Sequence, residues 1–119
     1  MKLLLVDDDS RIRKLMRSIY SPYFDEVIEC EDGRTAVEKY NSELPDWVVI
    51  DIKMVEMDGL KATEKIISRN PVAKVIIVSQ YNDEITIEAS KNAGAVDFVS
   101  KENLHKVIDI INKFHEDQR

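Results

Sequence analysis

Residues 3–9 read LLLVDDD, four apolar side chains followed by the carboxylates of Asp7, Asp8 and Asp9. A short, nearly continuous apolar run is typical of a strand in a parallel sheet, because helices cover both faces of such a sheet. Four further runs follow at steady intervals, and they span residues 26–30, 47–50, 74–78 and 96–99. The run at 26–30 mixes apolar and polar residues, which indicates an edge strand.

The segments between these runs have the spacing of amphipathic helices. Apolar residues recur there at intervals of three and four, the pattern of one apolar stripe. The clearest stripes are Ile12, Leu15, Met16 and Ile19; Ala36, Val37, Tyr40 and Leu44; and Leu104, Val107, Ile108 and Ile111. Helix start signals are Asp9 or Ser10, Asp32 and Asp58, and Gly94 is a stop signal. The sequence thus predicts a strand followed by a helix five times, an α/β fold with a parallel sheet covered on both sides.

Composition limits the classes of function. A chain of 119 residues is enough for one domain, so we expect residues 1–119 to form a single unit. The 23 Asp and Glu exceed the 17 Lys and Arg, and the net charge of −6 argues against a nucleic-acid surface. The apolar runs are too short for a membrane span or a signal peptide. The single cysteine, Cys30, cannot form an internal disulfide, and together these features predict a cytoplasmic location.

Polar side chains follow the predicted strands where each one ends. Asp7 and Asp8 come after the first strand and Asp51 after the third. Ser79 comes after the fourth strand and Lys101 after the fifth. In an open parallel sheet, ligands bind beyond the carboxyl ends of the strands. We therefore expect these side chains to lie together at one edge of the sheet.

These charges predict a site for a hard divalent cation. Crowded carboxylates repel one another unless a cation offsets them. Mg²⁺ or Mn²⁺ prefers carboxylate and carbonyl oxygens, and such an ion would bring Asp7, Asp8, Asp51 and Lys101 close to neutrality. A phosphoryl group can then approach, and a carboxylate can act as the nucleophile that forms an acyl phosphate.

The motifs together resemble the receiver (response-regulator) domain of two-component phosphorelays, and the resemblance covers the full chain. LVDD at 5–8 is similar to the acidic pair of that family, and Asp51 with MDG at 57–59 is similar to its phosphoacceptor segment. VS at 78–79 resembles the switch hydroxyl, and FVSK at 98–101 resembles the aromatic switch position and the lysine. The resemblance implies a doubly wound (βα)5 three-layer sandwich, flavodoxin-like, with strand order 2-1-3-4-5.

The resemblance also implies roles for the charged residues. Asp51 would accept a phosphoryl group from the phosphohistidine of a sensor histidine kinase or a histidine phosphotransfer protein. Asp8, Asp51 and the backbone carbonyl of Lys53 would ligate Mg²⁺, with Asp7 acting mainly through a bound water. Lys101 would pair with the phosphoryl oxygens.

Other implied roles concern switching and lifetime. Ser79 would hydrogen-bond the phosphoryl group, and Phe98 would turn from exposed towards buried, changing the face of the fourth helix, fifth strand and fifth helix. Lys53, Gln80 and Tyr81 would set phosphoryl access and lifetime. A downstream effector or output domain would read that face, with the chain either stand-alone or part of a longer, possibly DNA-binding, regulator. This predicts a signalling switch rather than a turnover enzyme, with no direct contact to nucleic acid or membrane.

Two positions depart from the family pattern. Val55 stands where the family often has Pro, so the loop loses a fixed φ and is expected to be more mobile. Glu102 stands where Pro usually follows the lysine. Because a cis Lys101–Glu102 bond costs about 2.5–4 kcal/mol, we expect either a trans bond or a site that enforces the strain.

Two alternatives stay open from the sequence. The DDDSR segment at 7–11 partly resembles the Asp-x-Asp opening of haloacid-dehalogenase phosphohydrolases, which would make Asp7 a nucleophile, although Arg11 departs from that pattern. A degenerate receiver that docks partners without phosphorylation is the second. Away from the site, we expect His105 and His115 to be surface residues and Trp47 to lie in the core.

Overall fold

The computed structural model of the chain describes residues 1–54 and 56–118, so the prediction about Val55 falls outside the described residues. The strands are β1 (Lys2–Val6), β2 (Glu26–Cys30), β3 (Trp47–Asp51), β4 (Val75–Ser79) and β5 (Asp97–Ser100). The α-helices are α1 (Ser10–Tyr20), α2 (Gly33–Glu43), α3 (Gly59–Arg69), α4 (Glu84–Asn92) and α5 (Lys106–Asp117). Short 3-10 turns span Ser21–Tyr23 and Lys101–Asn103.

The sheet has the order β2-β1-β3-β4-β5, with every neighbouring pair parallel. This confirms the predicted doubly wound (βα)5 fold. β2 lies at an edge, as its mixed sequence indicated.

Side chains of the strands divide between two cores because successive residues point to opposite faces of a sheet. Leu3, Leu5 and Val49 pack with α1 and α5, whereas Leu4 and Ile50 pack with α2 and α3. An uninterrupted apolar run therefore places side chains in both cores, because successive residues point to opposite faces of the sheet. This is why these strands do not alternate apolar and polar residues.

The helix boundaries follow the predicted caps. The carboxylates of Asp9, Asp32 and Asp58 accept backbone N–H groups at the starts of α1, α2 and α3. Gly94 lies just past α4 with φ +101°, a left-handed conformation that glycine adopts without strain.

Three sequence-based placements are wrong. Leu15 is 49% exposed, because only part of the α1 stripe faces the core. Leu44 is 70% exposed, since it ends α2 in the left-handed region at φ 47°. His115 is half-buried: Trp47 donates its indole N–H to His115 Nε2 at 3.1 Å, and the two rings meet edge-on. His105 and Trp47 lie as expected, exposed and buried respectively.

None of the helices in the described ranges combines the length and the apolar character needed to cross a bilayer.

Candidate functional site

Three carboxylates converge at the carboxyl edge of the central strands. Val6 pairs with Ile50 in the register of β1 and β3, so Asp7, one residue further on, stands beside Asp51. Asp7 is fully buried, Asp51 is 6% exposed and Asp8 faces solvent. Oxygens of Asp7, Asp8 and Asp51 all lie within 4.8 Å of one another. The predicted acidic cluster is therefore confirmed as a geometric fact.

Lys101 provides the positive charge of this cluster. Its Nζ lies 3.0 Å from Asp7 Oδ2 and 3.3 Å from Asp51 Oδ2, and the Lys101–Glu102 peptide bond is trans. The contact with Asp7 Oδ2 has ion-pair distance without hydrogen-bond geometry, so this buried oxygen retains an unused acceptor site. Three carboxylates and one ammonium leave a net charge of −2, which a divalent cation would balance.

Burial sets the protonation of these groups. Desolvation raises the pKa of Asp51 to about 6, with Asp7 adding to the rise and Lys101 opposing it. Burial also disfavours the charged form of Lys101, but the adjacent Asp7 and Asp51 outweigh it and raise the pKa of the ammonium. Lys101 is thus a permanent cation at neutral pH, and Asp51 is mostly ionised at pH 7 because its pKa lies below 7.

The turn that carries Asp7 and Asp8 is held on several sides. The Asp7 N–H donates to Cys30 O at 3.2 Å, and the Asp9 N–H donates to Asp7 Oδ1 at 2.9 Å. Arg13 Nη1 donates to the backbone carbonyl of Asp7 at 2.7 Å. The sequence analysis missed Arg13; its position one helical turn into α1, six residues after Asp7, was the available signal.

Gly59 brings the start of α3 against the end of β3. Its N–H donates to Ile52 O at 2.8 Å, and a Cβ on this residue would lie 2.0 Å from the Asp51 carbonyl oxygen. The backbone of Asp51 therefore leaves no space for a side chain at position 59.

An open cleft of about 480 Å³ reaches the cluster, lined by Asp8, Ile52, Lys53, Met54 and Asp58. A neighbouring groove of about 380 Å³ runs between Ile52 and Ser79 towards α4. Lys53 Nζ donates to Tyr81 OH at 3.2 Å between the two openings. Gln80, the residue before Tyr81, is exposed to solvent. A phosphorylated side chain has room to approach from this side.

Ser79 and Phe98 lie further along the same edge. Ser79 is buried at the end of β4, and its Oγ accepts the Tyr81 N–H at 3.0 Å. Phe98 on β5 is half-buried, whereas the sequence-based expectation for the unmodified protein was exposed. It lines a small cavity of about 80 Å³ together with Ile87 and Ala95.

Comparison with known proteins agrees with this geometry. The sequence model of the response regulator receiver domain matches residues 3–112. The chain belongs to the response regulator receiver family. Receivers are the phosphoacceptor signalling domains of two-component systems, so the predicted family and the predicted class of function are confirmed.

Relatives of this receiver include small chemotaxis proteins. The chain is 40% identical over 102 residues to chemotaxis protein CheY of Listeria monocytogenes, which covers 85% of this chain and 86% of the relative. It is 36% identical over 114 residues to CheY of Bacillus subtilis, covering 94% and 95%. The family also occurs inside larger proteins, such as a protein-glutamate methylesterase/protein-glutamine glutaminase of Archaeoglobus fulgidus, of which this chain covers 30% at 39% identity.

Solved structures show the same fold. A CheY-like receiver domain protein from Methanospirillum hungatei superposes with a TM-score of 0.88 at 27% identity, covering 98% of this chain and 94% of that one. The CheX-CheY-BeF3-Mg²⁺ complex from Borrelia burgdorferi matches with a TM-score of 0.85 at 26% identity, covering 97% and 89%.

The environment of Asp7 argues against the haloacid-dehalogenase alternative, in which Asp7 would be the nucleophile. Asp7 has no exposed surface, its Oδ1 accepts the Asp9 N–H, and its Oδ2 faces Lys101. The residue is therefore not placed to attack a substrate from solution.

Proposed function

We propose that Asp51 of this receiver accepts a phosphoryl group from the phosphohistidine of a sensor histidine kinase or a histidine phosphotransfer protein. The observation that carries the proposal is the convergence of Asp7, Asp8 and Asp51 on Lys101. One carboxylate oxygen of Asp51 forms a bond to phosphorus while the P–N bond breaks, and its electron pair stays on the imidazole nitrogen. The product is an aspartyl phosphate.

The surroundings of the three carboxylates favour Asp51 as the nucleophile. Asp7 is enclosed and already holds the Asp9 N–H, and Asp8 stands in solvent at the cleft. Asp51 ends a central strand and stays largely ionised at neutral pH although it is buried. Lys101 lies 3.3 Å from it, in place to pair with phosphoryl oxygens.

The same cluster fits Mg²⁺ or Mn²⁺. The unused acceptor on buried Asp7 Oδ2, the all-oxygen donor set and the net charge of −2 support this. Asp8, Asp51 and the backbone carbonyl of Lys53 would hold the ion directly, with Asp7 acting mainly through a bound water. When bound, the ion supplies charge neutralisation for the incoming phosphoryl group. The similar Borrelia chain was solved in a complex with Mg²⁺.

Ser79 and Phe98 form the proposed switch. The Ser79 hydroxyl accepts from Tyr81 and keeps its own proton to donate to a phosphoryl oxygen. Drawing Ser79 inward shifts the segment before α4, and Phe98 then moves from half-buried to buried. The cavity beside Phe98 and Ile87 offers space for that movement. The readable change is on the face formed by α4, β5 and α5.

Lys53, Gln80 and Tyr81 are proposed to tune access and lifetime of the phosphoryl group. The Lys53–Tyr81 contact sits between the two openings that lead to Asp51. Lys53 lines both openings and Tyr81 lines the groove, so these side chains stand beside the routes by which water would reach an aspartyl phosphate.

The proposal covers residues 1–119 as one receiver domain, since the family match spans 3–112 and α5 continues to Asp117. It acts as a signalling switch, with at most self-catalysed phosphorylation and dephosphorylation, and a downstream effector or output domain reads it. It contacts neither nucleic acid nor membrane directly, in keeping with its acidity. The single free cysteine is compatible with a cytoplasmic location.

The test uses a small phosphodonor. We expect acetyl phosphate with Mg²⁺ to add one phosphoryl group per chain, measured by intact mass, and addition to fail in EDTA and in Asp51→Asn. Asp9→Asn, a change of the same kind at the α1 cap, should accept the group as the native chain does. Persistent labelling of Asp51→Asn would refute the assignment. No labelling of the native chain would support a receiver that only docks partners.

A further inference from the structure

Arg13 links the acidic site to the edge strand through three contacts. Its Nη1 donates to the Asp7 carbonyl at 2.7 Å, and its Nε donates to Glu29 Oε1 at 2.9 Å. Its Nη2 lies 3.9 Å from Glu31 Oε1. The Arg13 side chain is only 13% exposed, so its hydrogen bonds to Asp7 and Glu29 form largely out of water, where charged hydrogen bonds are strong. The Glu31 carboxylate is 77% exposed, and its contact with Arg13 is a loose ion pair.

The carbonyl that Arg13 holds belongs to the peptide unit between Asp7 and Asp8. Rotation of this unit would move the Asp8 carboxylate, which is exposed to solvent. The Asp7 side chain is fixed separately, by the Asp9 N–H and by Lys101. Arg13 therefore restrains the orientation of the peptide plane that leads into Asp8, which is one determinant of where the Asp8 carboxylate points.

Glu29 holds Arg13 in this orientation and also pairs with Arg17 at 2.6 Å. The hydrogen bonds of Arg17 go to Glu29 and to the Val27 carbonyl, away from Asp7. Arg13 and Arg17 thus both lie on α1 and both pair with Glu29, but the contact with the Asp7 carbonyl is made by Arg13.

We propose that Arg13 is a positioning residue that orients Asp8 for divalent-cation binding through the Asp7 carbonyl. The inference rests on the proposed function, because it assumes that Asp8 is a ligand. Partners outside the ligand set typically change metal affinity about 10–100-fold, and we expect Arg13 to act near the lower end because it holds backbone rather than a ligand atom.

Simple electrostatics predicts the opposite sign. Removing a cation beside an acidic cluster should tighten binding of a divalent cation. Positioning predicts weaker binding in Arg13→Met, in spite of the lost positive charge. Arg17→Met also removes a positive charge from α1 and a partner from Glu29, without touching the Asp7 carbonyl, so it serves as the control for these two losses.

The experiment measures Mn²⁺ affinity of the full chain by electron paramagnetic resonance of the free ion, alongside the metal-free melting temperature. We expect roughly tenfold weaker binding in Arg13→Met. Arg13→Lys, which can still donate to the Asp7 carbonyl, should recover part of the affinity, and Arg17→Met should bind as tightly as the native chain or more tightly.

These measurements distinguish failure of the proposed metal site from failure of the proposed role of Arg13. A native chain that binds no Mn²⁺ would overturn the proposed metal site and this inference with it. Native binding with unchanged or tighter binding in Arg13→Met would overturn the role of Arg13 alone. Equal weakening in Arg13→Met and Arg17→Met would also overturn it, since a general loss of helix packing would then be the cause.

Discussion

The chemistry of Asp51 follows from its burial beside a like charge. Desolvation and Asp7 favour its protonated form and raise its pKa. Lys101 opposes this rise only in part, so the pKa is about 6. Burial of Asp51 beside Asp7 thus disfavours its ionised form in the folded protein when neither the proposed cation nor the phosphoryl group is bound.

This cost predicts a pH dependence of stability in metal-free protein. Below pH 3.8 Asp51 is protonated in both states; between there and about 6 the folded state holds a proton that the unfolded chain has released. Stability therefore falls as pH rises through this window, by on the order of 2–3 kcal/mol. We expect Asp51→Asn to be more stable than the native chain above about pH 6, and the difference to shrink towards pH 4.

Urea unfolding in EDTA between about pH 4.5 and 7.5 measures this difference. Asp9→Asn is the control: the Arg11 N–H lowers the pKa of Asp9, so its titration window lies below this range. A stability difference for Asp51→Asn that does not grow with pH would contradict the raised pKa.

At the level of elements, the site depends on how α3 begins. Asp58 caps the helix by accepting the Lys61 N–H at 2.9 Å, and Gly59 then passes close to the Asp51 carbonyl. The end of β3 and the start of α3 are therefore packed as one unit around the proposed acceptor.

Gly59→Ala tests this packing. Its Cβ would meet the Asp51 carbonyl oxygen at 2.0 Å, so backbone has to move. We expect a loss of about 1–3 kcal/mol or more in the free energy of unfolding, together with slower phosphorylation by acetyl phosphate. Ser10→Ala, a change at the exposed first residue of α1, should alter stability by less than about 0.5 kcal/mol. A fully stable Gly59→Ala that phosphorylates normally would show that the close approach is dispensable.

At the scale of the whole molecule, an ion that binds the folded state stabilises the complete fold. The proposed ligands Asp8 and Asp51 lie just after β1 and at the end of β3, and they are far apart in the chain sequence. A cation at a hundredfold excess over its Kd stabilises by about 2.7 kcal/mol, which corresponds to a rise of roughly 10 °C for a domain of this size.

Thermal unfolding with Mg²⁺, against NaCl of matched ionic strength, checks this expectation. Asp8 faces solvent, so Asp8→Ala should keep its metal-free melting temperature within a few degrees and lose most of the Mg²⁺ shift. An equal shift in Asp8→Ala would place the ion elsewhere.

Local patterns were sufficient to predict much of this fold. The capping carboxylates Asp9, Asp32 and Asp58 act through bonds to residues two or three positions away, so sequence alone locates them. Apolar runs located the strands for a similar reason, because a strand covered on both faces needs apolar side chains at every position. The predicted stripes were wrong at Leu15, where the neighbouring elements cover only part of α1, and at Leu44, where α2 has already ended.

The sequence by itself determined which chemical groups follow each strand, because a parallel sheet places every strand end at one edge. Only the tertiary structure decided which carboxylates are buried, that Lys101 reaches both Asp7 and Asp51, and that Arg13 holds the Asp7 carbonyl. Strand order and register fix these distances, and both arise from packing between residues far apart in the chain. The sequence gives the position of a charged residue along the chain, whereas its pKa and its partners depend on which residues surround it in the folded structure.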